Sequence, residues 1–351
     1  MGGSYPSFDD ILKDGAPPEW APFVFISGFI SLGMLALDIY VLIQHKKYST
    51  KFPIQFLCTV GILQVYPFFA IMQFVGLVVP NAMDMLLFLT EACEALSFIF
   101  FLKLVLTYMG GKKASKSILK GEEMHLNIPP ICCFICLPTI KFTRKFFIFC
   151  ELLIGIYAFY CIFVGFVELV VTLDGSESYP ASAISDDFAT AYHMILLLLL
   201  FLAIYGLSGI YHSAEDKLNH RGIIKKFLVY KIFTLLVKLE DVILGTLAHH
   251  NVINNDSFAY NKNFDAGLRI RNIYGFIVVI EALIAFPLAI RFYSTSDYIE
   301  TVTADDKVLE NTDAGEKEEK TENFTDIWVH FSLSERWYLR KQHSPEFKIT
   351  L

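Results

Sequence analysis

The chain has 351 residues, of which 54% are hydrophobic and 15% aromatic, and its mean hydropathy is +0.49. These values exceed those of ordinary soluble domains, so they exclude a soluble globular protein and indicate a membrane protein. The net charge of −7, from 29 basic and 36 acidic residues, gives no basic surface for nucleic acid. We therefore expect no nucleic-acid partner.

The N-terminal segment, residues 1–21, is polar and contains one Lys and four acidic residues. It lacks the basic region followed by an apolar region that is typical of a cleavable signal peptide. We expect an extracellular N-terminus, and we expect the first apolar helix to act as the targeting signal.

Seven continuous apolar blocks follow, each long enough to cross a bilayer with about 20 helical residues. The blocks lack the alternation that is typical of barrel strands. The sequence therefore predicts an all-α membrane protein with seven transmembrane helices inside a domain of residues 22–293. The predicted spans, numbered 1 to 7 in chain order, are about 22–44, 54–78, 85–109, 146–172, 189–211, 224–247 and 273–293.

The Arg and Lys residues near the span ends predict the orientation. Loops 45–53, 110–145 and 212–223, the last taken with the two Lys that follow it, hold 14 basic residues, whereas the opposite set of segments holds 4. This difference places the N-terminus outside and the C-terminus in the cytosol.

The predicted cytosolic loop 110–145 contains the segment "NIPPICCFICLP", with Cys132, Cys133 and Cys136. A Cys-x-x-Cys pair is half of a zinc site, but no second pair or suitably spaced His completes it, so we expect no metal site. The apolar neighbours favour a segment at the membrane surface, where cysteines are typical S-acylation sites. The alternative is an ordinary loop with buried thiols.

Ionisable residues inside the spans are the most informative feature, because a charge at membrane depth costs at least about 2.5 kcal/mol. The stretch "LTEACEALSF" places two glutamates one helical turn apart, and spans 6 and 7 add further charges. We interpret the set as a polar substrate path, and the alternative is a group of internal ion pairs that fixes helix registry. The members are Glu91, Glu94, Lys231, Lys238, Glu240, Asp241 and Glu281.

Two prolines fall inside predicted spans: Pro67 in span 2 and Pro287 in span 7. Each removes a backbone donor, so we expect each to interrupt its helix and permit a kink. The small residues of "YGLSG" in span 5 predict close helix packing.

Two features lie outside the spans. Asn255 begins a glycosylation sequon in the last predicted external loop. Residues 294–351 hold thirteen acidic and seven basic residues, and we expect this acidic cytosolic tail to be largely disordered.

Other seven-helix classes fit the residues poorly. Span 3 ends in "TYMGGKK" without the Asp-Arg-Tyr of G-protein-coupled receptors, and span 7 has no Lys for retinal. No nucleophile and base are arranged for catalysis. We expect a protein that is not an enzyme and carries no cofactor.

Four segments recur in the order of a known family: "GILQVYPFFAIMQFVGLVVPNA", "TEACEALSFIFFLKLVLTYMGGKK", "PPICCFICLP" and "KKFLVYKIFTLLVKLEDVILGTL". Together they resemble the organic solute transporter alpha subunit and its seven-helix relatives over most of residues 20–295. The resemblance implies facilitated movement of amphipathic organic anions, such as bile acids and steroid sulfates, across the plasma membrane. It also implies a single-pass beta-type partner subunit.

We therefore predict a multi-pass cell-membrane transporter in which Lys238, with Lys231 below it, neutralises an anionic substrate. The expected partners are membrane lipids and a beta-type subunit, and a homo-oligomer is left open. The alternative is a membrane-organising, trafficking or signalling adaptor that works through the acylated segment and the tail, with purely structural buried charges.

Overall fold

A computed structural model of the chain describes residues 20–125, 139–173, 181–218, 222–249, 266–295 and 297–298. Within these residues the chain forms ten α-helices, most of which belong to long, apolar segments. In chain order they are α1 Trp20–Lys46, α2 Pro53–Leu63, α3 Val65–Val78, α4 Met83–Tyr108, α5 Lys112–Leu119, α6 Arg144–Phe159, α7 Gly165–Leu173, α8 Ala181–Leu218, α9 Ile223–His249 and α10 Ala266–Phe292.

Two short helical turns and two strands complete the described elements. A 3₁₀ turn, Pro80–Ala82, precedes α4, and a π-helical turn, Tyr160–Val164, joins α6 to α7. Strands β1 (Glu123–His125) and β2 (Thr139–Lys141) pair antiparallel, with Met124 opposite Ile140. The all-α prediction missed this ribbon, because strands of three residues carry no readable alternation.

Every predicted span falls within a long helical segment, but only six described segments are long and apolar enough to cross a membrane by length and composition. They correspond to predicted spans 1 to 5 and 7. Helix α9, which contains predicted span 6, has 27 residues and would extend about 40 Å, but it carries more Lys, Glu and Asp residues than any of the six apolar segments. The structure thus supports a multi-pass helical membrane protein, while the seventh span and the orientation of the termini stay predictions.

Span 2 breaks where the sequence predicts it. Pro67 offers no N–H to the carbonyl of Leu63, and the helix divides at Gln64, between α2 and α3. The break lets the Gln64 side-chain amide donate to the Asp38 carboxylate of α1 at 2.6 Å. In span 7 the expectation was wrong, because α10 continues without a break through Pro287.

Helix α3 packs against α1, α4 and α10, while α6 packs against α8 and α9 against α10. The buried faces join into one apolar core that contains many aromatic rings. Large apolar side chains such as Phe25 and Phe29 of α1 point outward. Outward apolar and inward polar side chains are the arrangement that a hydrocarbon environment requires.

The small residues of "YGLSG" do permit close packing between α6 and α8. A Cβ atom placed on Gly206 would lie 2.9 Å from the backbone carbonyl oxygen of Cys150. Because a backbone atom cannot rotate away as a side chain can, a larger residue at position 206 must push α6 and α8 apart.

We expect Gly206→Ala to lower the free energy of unfolding by about 1 to 3 kcal/mol through this overpacking. Thermal unfolding of the purified protein measures the effect. Gly155→Ala on α6 is the matched control, because its added Cβ would meet nothing within 4 Å and should leave stability unchanged or slightly higher. Equal melting temperatures for the two variants would contradict the prediction.

Candidate functional site

A buried ion-pair cluster connects α4 with α9 near the middle of the bundle. The Lys238 Nζ atom lies 2.6 Å from Glu91 Oε1 and 3.8 Å from Glu94 Oε2. Glu94 follows Met83, the first residue of α4, by 11 positions, or about 16 Å along the helix axis. This depth is close to half of a hydrocarbon core about 30 Å thick.

The two glutamates differ in how firmly they are held. The Glu94 side chain is 1% exposed, whereas that of Glu91 is 12% exposed. The Tyr157 hydroxyl of α6 donates to Glu94 Oε1 at 2.6 Å. Glu94 is therefore held by Tyr157 at ion-pair distance from Lys238, while the more exposed Glu91 accepts the hydrogen bond from Lys238.

Hydroxyl groups surround Glu94 on its backbone side as well. The Tyr230 hydroxyl of α9 donates to the Glu94 carbonyl oxygen at 3.2 Å, and Ser97 Oγ donates to the same oxygen at 2.5 Å. Their two oxygens are also within hydrogen-bond distance of each other, but each hydroxyl has a single proton, so neither donates to the other while both donate to Glu94. Three helices thus meet at Glu94 through hydroxyl side chains that are buried.

The π-helical turn places another side chain beside the cluster. Cys161, the second residue of that turn, is buried, contacts the Tyr157 hydroxyl and lies within electrostatic range of both glutamates. π-helical turns are rare and occur often at functional sites. From α10, Tyr274 lies within electrostatic range of Lys238 and Asp241.

The remaining predicted path residues lie elsewhere. The carboxyl groups of Glu240 (α9) and Glu281 (α10) lie close enough to interact with each other, and the Oε2 atom of each is buried without a hydrogen-bond partner among the described residues. Lys231 Nζ lies 5.3 Å from the centre of the Phe227 ring, one turn along its own helix. The predicted set thus divides into the Lys238 cluster, a carboxyl pair, a separate lysine and Asp241, which lies near Tyr274 of α10.

Sequence reasoning missed the hydroxyl-bearing residues of the cluster: Ser97, Tyr157, Tyr230 and Tyr274. Their signal is weak, because single polar residues are common in apolar spans. A buried Tyr usually requires a hydrogen-bond partner, so the tyrosines near the middle of spans were the available clue.

Several predicted features lie outside the described residues. These are the S-acylation cysteines Cys132, Cys133 and Cys136, the glycosylation site Asn255 and the acidic tail beyond residue 298. Among the described residues, no three His, Cys, Asp or Glu side chains form a group that could hold a metal ion. Four described cysteines, Cys58, Cys93, Cys150 and Cys161, form no disulfide.

Residues 23–298 of the chain match the protein family described as "Organic solute transporter Ostalpha". The chain belongs to this family. The match runs from α1 to Tyr298 and contains every residue of the Lys238 cluster, so it confirms the resemblance that the ordered motifs predicted. The family is one of solute transporters, and with the apolar helices it shows a multi-pass membrane protein.

Individual relatives are distant. The chain is 24% identical over 192 residues to the organic solute transporter subunit alpha of Danio rerio, covering 54% of the chain and 58% of that protein. It is 23% identical over 225 residues to the same-named subunit of Mus musculus, covering 63% and 64%. A transmembrane protein 184 homolog of Dictyostelium discoideum is 23% identical over 293 residues, or 82% and 55%.

The chain thus spans between 55% and 64% of the length of these curated relatives. No solved structure matches it.

We expect Tyr157→Phe to lower the free energy of unfolding by about 1 to 3 kcal/mol, because it leaves a buried Glu94 oxygen without its donor. Thermal unfolding of the purified protein again measures the change. Tyr66→Phe is the matched control, since the buried Tyr66 hydroxyl has no hydrogen-bond partner among the described residues. We expect Tyr66→Phe to leave stability unchanged or higher, and a similar loss in both variants would contradict the assignment of the Tyr157 effect to its hydrogen bond with Glu94.

Proposed function

We propose that the chain is a facilitative transporter that moves amphipathic organic anions, such as steroid conjugates, across the plasma membrane. The observation that carries the proposal is a buried lysine held between two carboxylates of unequal exposure. Membership of a solute transporter family and similarity to two organic solute transporter subunits support the same function.

The charges of the cluster suggest how an anion binds. Lys238 with Glu94 alone is a neutral pair, and Glu91 adds one further negative charge when it is ionised. An incoming carboxylate or sulfate takes the place of Glu91 beside Lys238, and the more exposed Glu91 turns away. The exchange keeps the local charge constant, which matters because charges interact strongly in a medium of low dielectric constant.

The aromatic core offers apolar contacts for the rest of the substrate. The Tyr230 ring lies 5.2 Å from that of Phe98 and 6.1 Å from that of Phe101, while Tyr66 lies 5.0 Å from Phe233. Flat, rigid rings suit a steroid skeleton, and a few polar groups then fix its orientation.

Partners and modifications follow from the same proposal. The relatives named subunit alpha imply a second subunit in those proteins. For this chain we propose a single-pass beta-type subunit, contact with membrane lipids and a possible homo-oligomer. We also propose S-acylation at Cys132, Cys133 and Cys136 and glycosylation at Asn255.

The second candidate function is a membrane-organising, trafficking or signalling adaptor. It is favoured by the transmembrane protein 184 homolog, whose name states no transport and whose match covers 82% of the chain. In an adaptor, the Lys238 cluster would serve only to fix the registry of α4 and α9.

Opposite effects of two isosteric variants test the transporter. Glu91→Gln leaves the neutral Lys238–Glu94 pair and removes the competing carboxylate. We therefore expect half-saturation at an about five-fold lower substrate concentration, which corresponds to about 1 kcal/mol of binding free energy. Glu94→Gln leaves Glu91 as the sole carboxylate on Lys238, so the anion must displace the only charge partner and half-saturation should rise. The measurement is uptake of labelled steroid sulfate by cells, with and without a beta-type subunit, normalised to surface expression.

Absence of flux in both cell types despite surface expression would exclude the transporter. Flux that is unchanged in both variants would exclude the role of the Lys238 cluster. The adaptor predicts instead that both variants keep full biological activity, and that deletion of the three cysteines and the tail abolishes it.

A further inference from the structure

A second lysine of α9 is buried even more deeply than Lys238. Lys226 has a side chain that is 2% exposed and forms an ion pair with Asp297, whose side chain is 14% exposed. Lys226 Nζ also donates to the Tyr108 hydroxyl at 3.3 Å. It lies 5.0 Å from the centre of the Tyr108 ring and 5.9 Å from that of Tyr293.

The partner carboxylate comes from beyond the last helix. Asp297 and Tyr298 follow α10, and both lie within the end of the bundle where α1 ends and α9 begins. The Tyr298 hydroxyl lies 2.9 Å from His45 Nδ1, and its ring stacks on Tyr48 with centroids 4.9 Å apart. Tyr298 therefore anchors the chain next to Asp297 and presents this carboxylate to Lys226.

Polar side chains connect the two lysines along α9. Lys226, Tyr230, Thr234 and Lys238 follow one another in steps of four residues, and all four are buried. Twelve residues of helix separate the two lysines, or about 18 Å. Buried polar groups are costly in an apolar core, so four in succession require an explanation beyond packing.

The two lysines share one arrangement. Each is buried and holds a carboxylate that is more exposed than the lysine itself: Glu91 for Lys238 and Asp297 for Lys226. At Lys226, the rings of Tyr108 and Tyr293 would continue to contact the cation after the carboxylate leaves, which lowers the cost of exchanging one anion for another.

We propose that Lys226 is a second binding site for the carboxylate or sulfate of an organic anion, and that Asp297 occupies this site when no substrate is bound. The inference rests on the proposed function and extends it. A substrate anion moves between Lys238 and Lys226 past the hydroxyls of Tyr230 and Thr234, and it displaces Asp297 at the end that the Arg and Lys distribution predicts to be cytosolic.

Asp297→Asn tests the second site, because it removes the competing charge and leaves Lys226 in place. In inside-out membrane vesicles, we expect the variant to reach half-saturation with labelled steroid sulfate at about five-fold lower concentration than the unmodified chain. In right-side-out cells, half-saturation should stay unchanged, since Lys238 is met first from that side.

Glu151→Gln is the matched control. Glu151 forms an ion pair at 2.9 Å with Lys112 at the same end of the bundle, away from the polar stripe of α9. We expect this variant to transport as the unmodified chain does from both sides. A five-fold change in this control as well would overturn the proposal, because any lost ion pair at this end would then have the same effect.

The outcomes separate this inference from the proposed function. If Glu91→Gln changes half-saturation and folded Asp297→Asn does not, Lys226 is not a substrate site and the transporter stands. If the unmodified chain shows no flux, thermal stabilisation of the purified protein by steroid sulfate still tests Lys226: Asp297→Asn should show the larger shift, and equal shifts overturn the site.

If Asp297→Asn does not fold, a second variant tests the same site. Asp297→Glu keeps the charge but lengthens the side chain, so the carboxylate should fit less well and leave more readily. We expect normal surface expression and half-saturation between those of the unmodified chain and Asp297→Asn. Unchanged kinetics in Asp297→Glu, together with an unfolded Asp297→Asn, would show that the Lys226 ion pair is purely structural and would overturn the proposal.

Discussion

The interaction on which the structure depends is the contact of Lys238 with Glu91 and Glu94 inside an apolar bundle. Removing Lys238 would leave two buried carboxylates without a counter-charge, so the cluster constrains the positions of α4 and α9 relative to each other. The hydrogen bond from Tyr157 extends that constraint to α6. The rest of the core, which is largely aromatic and aliphatic, fills the space that these polar contacts define.

The unequal exposure of the carboxylates gives this cluster more than a structural meaning. A fully enclosed and neutral ion pair would fix registry and nothing else. Here the Tyr157 hydroxyl holds Glu94 by a hydrogen bond, whereas the side chain of Glu91 is partly exposed. The same inequality at Lys226 and Asp297, with hydroxyls between the two lysines, is the basis on which we propose a route along α9.

Much of the fold could be read from the sequence, because burial in a membrane leaves a strong signal in long apolar segments. All seven predicted spans are helical, the break near Pro67 was expected, and Gly206 of span 5 does lie against a neighbouring backbone. The expectation for Pro287 failed because helices tolerate a proline when the rest of the backbone bonding continues around it. The β1–β2 ribbon was not predicted, because strands of three residues are too short to show an alternation of apolar and polar residues.

The sequence by itself determined that charged residues of spans 3, 6 and 7 must face inward, since lipid cannot accommodate them. Only the tertiary structure decided which of them meet: Lys238 with Glu91 and Glu94, and Glu240 with Glu281. It also brought Asp297 from beyond the last helix to Lys226, 71 positions earlier in the chain. Such pairings depend on how helices rotate and pack, and distances between side chains on different helices leave no periodic trace in a single sequence.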